Sequence, residues 1–248
     1  MSEETPATPV ALPLWKRAPG AIIRGSRGVD ALFVVLVAGA GLIFSFNYFF
    51  HEVADNWLVG RSPTPPNVFV ASAMIALGHG LTLPQGTTPG LDRFSRQQQD
   101  TLTEADLPDP LILQEVMPWE LRHRYLLTLV GWVWKITGVS WAAMKGLLAV
   151  ALALTLVLVY GVMRQGMGPV LSVAATWCFL YTPSLLFETT SVRDFFKVPF
   201  FYALLLLLGW LVRRPPRRWG FLGASALVGG VIGIGLGFRH DLLICLLP

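Results

Sequence analysis

Long apolar runs alternate with short charged breaks along this chain. Residues 30–50 carry no charge after Asp30, then end abruptly in His51, Glu52 and Asp55. The second half holds four more runs, roughly 142–163, 169–187, 196–212 and 219–238. Each approaches the ~20 residues a helix needs to cross a bilayer. Arg164 separates the first two of these. Arg213, Arg214, Arg217 and Arg218 separate the last two, with Pro215 and Pro216 forcing a turn. The pattern predicts an all-α, polytopic membrane helix bundle of about five spans. The alternating ~10-residue segments of a barrel are absent from the sequence.

Residues 1–29 are polar and basic toward their end, with Lys16, Arg17, Arg24 and Arg27. A cleaved signal would carry its apolar core nearer the start and a small-residue cleavage site behind it. Residues 30–50 instead end in bulky aromatics and read as a retained first span, with a basic cytoplasmic leader before it. Counting spans from there places Arg164 and the four-arginine loop inside, although neither was used to set the count. The same count places 51–141, 188–197 and 239–241 outside. These features describe an integral multi-pass protein of bacterial inner-membrane type, its N-terminus cytoplasmic. The last seven residues, 242–248, read as the start of a sixth span. At ~1.5 Å per residue they cannot cross ~30 Å of hydrocarbon, so the 142–248 bundle is expected to be truncated.

Residues 51–141 have a different texture, a large extracytoplasmic loop rich in carboxylates and prolines. Residues 68–77 form a short apolar helix candidate. Residues 92–110 are polar and expected to be exposed. Residues 125–139 are amphipathic, with Leu126, Leu129, Val130, Val133 and Ile136 at helical spacing. They predict a helix in the membrane interface with Leu126, Leu129, Val133 and Ile136 buried. Trp132 and Trp134 read as its interfacial anchors.

Composition sharpens the class. The chain is 54% hydrophobic and 14% charged, against about 25% charged in soluble domains. The net charge of +4 is mostly membrane-flanking arginine and gives no reason to invoke nucleic acid. Cys178 and Cys245 lie in apolar runs and read as small buried hydrophobes. The four histidines have no metal-ligand spacing. Gly229, Gly230, Gly233, Gly235 and Gly237 lie inside a span, where small residues let helices approach closely.

From Arg122 onward the chain resembles the C-fold superfamily of integral membrane glycosyltransferases, in its N-terminal part. The similarity is carried by "YLLTLVGWVWKITGVSW", running into "AAMKGLLAVALALTLVLVYGVMRQGMGPVLSVAATWCFLYTPSLLFETT", and by "RDFFKVPFFYALLLLL" and "GIGLGFRHDLLICLLP". A large outer loop directly after the first span is the same layout. The resemblance implies transfer of a sugar from a lipid-phosphate-linked donor to an acceptor on the extracytoplasmic face. In that superfamily an acidic residue just beyond the first span acts as base or metal ligand, which here points to Glu52 and Asp55. Spaced i, i+3, these two share one face if the helix continues. A second acidic position in the next outer loop matches Glu188 or Asp194. Neither the Asp-Glu pair of the mannosyltransferases nor the Asp-x-Asp of the oligosaccharyltransferases is present in those loops. A divalent metal is therefore left open, and no other cofactor is implied.

The chemistry asked of such a site is simple. A carboxylate deprotonates the acceptor hydroxyl, and cations hold the departing phosphate, arginine best through its two-pronged hydrogen bonds. The candidates are Glu52, Asp55 and Asp194 as catalytic carboxylates. Arg193 and Arg239, with Lys197 and Glu188, are the candidate substrate-binding residues. Each has a plainer explanation, as charges that mark where helices leave the lipid. The alternative is accordingly a non-catalytic polytopic protein, either a degenerate transferase scaffold or a transporter component. Uncharged span interiors, apart from Lys145 near one end, weigh against transport.

Overall fold

The computed structural model describes residues 27–55, 57 and 58, 66–213 and 218–238. It is a helical bundle, and the chain is a polytopic helical membrane protein. Four helices are long and apolar enough to span, Gly28–Glu52, Trp141–Arg164, Val192–Arg213 and Gly220–Phe238. A fifth span forms if the bent pair Pro169–Leu180 and Pro183–Thr189 counts as one.

The first span is helix α1, Arg27–Asn47, continued by a π-helical turn over Tyr48–Glu52. Val53 then turns extended and its N–H closes the turn on the carbonyl of Tyr48 at 3.1 Å. Because the helix stops at Glu52, Glu52 and Asp55 do not share a helical face. Such π-turns cluster at functional sites, since one extra residue re-aims the chain that follows.

A small helical layer comes next. It contains α2 (Val70–Ala76) behind a 3₁₀ turn at Pro66–Phe69, α3 (Pro89–Ser95), α4 (Pro118–Leu121) and α5 (Arg124–Thr137). A two-stranded antiparallel pair, β1 (Thr82–Pro84) and β2 (Leu113–Glu115), matches Leu83 with Gln114. The stretch 92–110, expected to be exposed, is instead pinned by buried Phe94, Leu102 and Leu107. Its polar residues are spent on local caps. Thr103 donates through its backbone N–H and its hydroxyl to Asp106 at 2.9 Å, closing the turn Glu104–Asp106. The backbone bond, with help from the hydroxyl, holds the Asp106 carboxyl below its ordinary range against a desolvation penalty.

Helix α5 forms where the periodicity predicts, but it buries a different face. Leu126, Leu127, Val130 and Trp134 are buried, Leu129 and Val133 are half-buried, and Ile136 and Trp132 are exposed. The reason is α2, which packs against Gly131 so closely that an added Cβ would sit 2.7 Å from the Ile75 Cβ and 2.9 Å from the Ser72 carbonyl oxygen. Trp134 is therefore core and not an interfacial anchor. Its ring meets Trp141 edge-on at 5.6 Å, and Phe94 stacks on Trp141 at 4.9 Å.

Helix α6, Trp141–Arg164, is the central span. It runs antiparallel to α1 and is joined to it at both ends. Arg164 forks onto Asp30, Nε to Oδ1 at 2.7 Å and a terminal nitrogen to Oδ2 at 3.3 Å. At the other end Lys145 meets Asp55. Residues 145 and 164 stand about 28 Å apart at ~1.5 Å per residue, close to the ~30 Å hydrocarbon thickness.

Helix α7 (Pro169–Leu180) and α8 (Pro183–Thr189) bend by 63° where Pro183 starts the second helix. The straight span expected over 169–187 is thus broken. The short α9 (Val192–Phe195) leads into α10 (Val198–Arg213), and α11 (Arg218–Phe238) packs beside it. Cys178 is exposed on α7 and not buried; Cys245 lies outside the described residues. Gly229, Gly230 and Gly233 have open space around them, and Gly237 alone of this group meets a neighbour, Tyr125.

Candidate active site

The most developed polar site lies where α1 ends and α6 begins. Asp100 reaches up from the helical layer to the first turn of α6. Its Oδ1 accepts from the Ala142 N–H at 2.9 Å and its Oδ2 from the Ser140 hydroxyl at 2.7 Å. A carboxylate suits the positive end of a helix dipole, and it bolts the layer to the span. Trp141 adds a second bolt, donating from its ring N–H to the Phe94 carbonyl at 3.1 Å.

One turn further along sits Lys145, only 4% exposed. Its ammonium donates to the Val53 carbonyl at 3.0 Å and to Asp55 Oδ1 at 2.9 Å. This cation stands near the wrong end of a helix dipole, at a depth where charge is costly. The Asp55 side chain, by contrast, is wholly solvent-exposed, so the pair itself contributes little to stability. Stability does not explain the lysine.

Asp55, Asp100 and Lys145 line a cleft of about 420 Å³ together with Phe50, Gln97 and the N-terminal turn of α6. That volume is within the ~300–1,000 Å³ range of small-molecule sites. Of the sequence candidates, Asp55 lines this cleft, whereas Glu52, Glu188, Arg193, Asp194 and Lys197 do not. Glu52 and Glu188 are exposed. Asp194 accepts from the Ser191 hydroxyl at 2.6 Å and lies 3.8 Å from the Lys197 ammonium. Arg193 is half-buried beside it in the sequence. This second group stands at the same end of the bundle as Asp55. The Tyr48 hydroxyl donates to the Leu186 carbonyl at 3.2 Å, and Phe44 meets Tyr181 at 5.7 Å, tying the end of α1 to the α7–α8 bend. Arg239 lies outside the described residues. Its neighbour in sequence, Phe238, packs against Phe196, Phe200 and Tyr125.

The donor set does not fit a divalent ion. Among the described residues no three His, Cys, Asp or Glu side chains gather, and Asp55 already faces an ammonium. We route no step through a metal.

A further titratable group lies at α4. Glu120 is buried, and among the described residues its Oε2 has no hydrogen-bond partner. Burial pushes its carboxyl above the ordinary range, offset in part by a backbone hydrogen bond from Met117.

Sequence reasoning missed Lys145 and Asp100 as site residues. A signal for Lys145 existed, as the one charge inside an otherwise apolar stretch of α6. None existed for Asp100, whose role is a contact across 42 residues. Comparison with protein-family models, curated proteins and solved structures finds no match for this chain.

Proposed function

We propose that this protein is a membrane transferase that moves a sugar from a polyprenyl-phosphate-type lipid to an acceptor hydroxyl at the extracytoplasmic boundary. The observation that carries the proposal is the Asp55 carboxylate, open to solvent at a membrane-boundary cleft and gripped on one oxygen by a buried ammonium. Lys145 fixes Oδ1 and leaves Oδ2 available to accept the proton of an acceptor hydroxyl as the glycosidic carbon is attacked. Fixing one oxygen also holds the base in place, and placement is a large part of catalysis.

In this scheme the bond between the sugar and the phosphate oxygen breaks as the new glycosidic bond forms, and the phosphate leaves with the lipid. Arg193 and Lys197 beside Asp194, and Arg239 directly after Phe238, are the cations proposed to receive it. Asp194 positions Lys197. Glu52, outside the cleft, ranks behind Asp55 as the base. The sequence layout and the five-span count support the superfamily resemblance, and the positive-inside pattern supports a cytoplasmic N-terminus in a bacterial inner membrane.

The test is transfer from a panel of polyprenyl-phosphate sugars by the full chain in lipid nanodiscs. Asp55→Asn is expected to lower turnover by roughly 10²-fold or more, with Glu52→Gln within a few fold of the parent. Equal turnover by Asp55→Asn, or no transfer from any donor, overturns the proposal.

A further inference from the structure

The cleft beside Lys145 has the wrong charge for a phosphate. Its described lining carries two carboxylates, Asp55 and Asp100, against one ammonium. That ammonium is already committed to the Val53 carbonyl and Asp55, and both oxygens of Asp100 are committed to the start of α6. An anion entering here would meet net negative charge in a poorly screened site.

What the cleft does offer is neutral hydrogen bonding. Gln97 is 8% exposed. Its Oε1 accepts from the Leu58 N–H at 2.8 Å, which fixes which end of the amide is the donor. Its Nε2 is buried and, among the described residues, has no acceptor. The residue also holds a left-handed backbone, φ 54°, which non-glycine residues rarely adopt. An orphaned buried donor is uncommon in native proteins and calls for an explanation. Together with Asp55 Oδ2, the site provides one donor and one acceptor. That is the complement of a hydroxyl, which both gives and takes a hydrogen bond. The exposed ring of Phe50, held by stacking on Phe46 at 5.8 Å, supplies an apolar wall.

We propose that this cleft binds a neutral, hydroxyl-rich group, a saccharide ring, through Gln97 Nε2, Asp55 Oδ2 and the Phe50 face, and that phosphate is held outside it. The proposal deepens the transferase assignment and rests on it for the ligand's class. Its test needs no turnover.

The full chain in nanodiscs is titrated with methyl glycosides of common neutral hexoses and with inorganic phosphate, and binding is read by saturation-transfer NMR. At least one glycoside is expected to bind, and Gln97→Glu is expected to weaken it tenfold or more, since the donor becomes an acceptor. Phe50→Ala, at an exposed ring that the fold does not need, is expected to weaken it severalfold. It serves as the readout if Gln97→Glu fails to fold. Inorganic phosphate is expected not to compete with the glycoside. Binding of no glycoside, undiminished binding in the variants, or displacement by phosphate overturns the proposal. The two ideas separate cleanly. Variant-sensitive glycoside binding without transfer from any lipid donor leaves the cleft assignment standing and the transferase assignment fallen. Asp55-dependent transfer with variant-insensitive binding does the reverse.

Discussion

Lys145 is the residue on which the site turns. A buried ammonium facing a fully exposed carboxylate recovers little of its desolvation cost. Replacing a buried charge by an apolar side chain of similar length is often neutral or stabilising. Lys145→Met is therefore expected to keep or raise the melting temperature in nanodiscs while lowering transfer at least tenfold, because Asp55 loses its anchor. A fall in both would make Lys145 merely structural. Glu120 offers a second test. As pH rises from its ordinary value of 4.5, the unfolded chain releases this proton first, and stability is lost until the folded carboxyl also ionises. Glu120→Gln is expected to flatten that loss and to gain roughly 1 kcal/mol at neutral pH. Thermal unfolding followed from pH 4 to pH 8 checks the sign.

The decisive features among the elements are close approaches and broken helices. The amphipathic pattern of α5 correctly predicts a helix, but apolar residues occur on more than one of its faces. Periodicity cannot choose between Trp134 and Ile136 as the buried one. Gly131 makes the choice, because a residue without a Cβ lets α2 lie directly on it. Gly131→Ala is expected to destabilise the helical layer by about 1–3 kcal/mol, the cost of overpacking. Faster proteolysis within 66–137, with the spans unaffected, would show it. The π-turn over Tyr48–Glu52 has a similar status. Nothing in its apolar, aromatic sequence marks it, yet it ends the helix before Asp55 and frees that residue to meet Lys145.

For the whole molecule, the two ion pairs between α1 and α6 stand one hydrocarbon thickness apart, so the cleft and its helical layer sit at one membrane face and Arg164 at the other. Impermeant thiol labelling decides which face is outside. With Cys178 and Cys245 changed to serine, Arg96→Cys is expected to react in intact cells and Gly166→Cys only after permeabilisation. The opposite pattern would move the cleft to the cytoplasm and remove the extracytoplasmic assignment.

The spans were legible in the sequence because crossing a bilayer demands a continuous apolar length, and length is a property of the linear chain. Arg164 and the arginines after residue 212 were legible for the same reason, since charges mark where such a length must end. The bend at Pro183 was half legible, as a proline whose neighbours alone do not say whether the helix kinks or stops. The cleft was not legible. Asp55 and Lys145 are 90 residues apart and Asp100 belongs to a stretch whose polarity suggested bare solvent. Only packing decides which distant groups share a space. Once α1 and α6 run antiparallel and the tryptophan cluster seats the helical layer on the start of α6, the lysine, the two carboxylates and Gln97 have one place to meet.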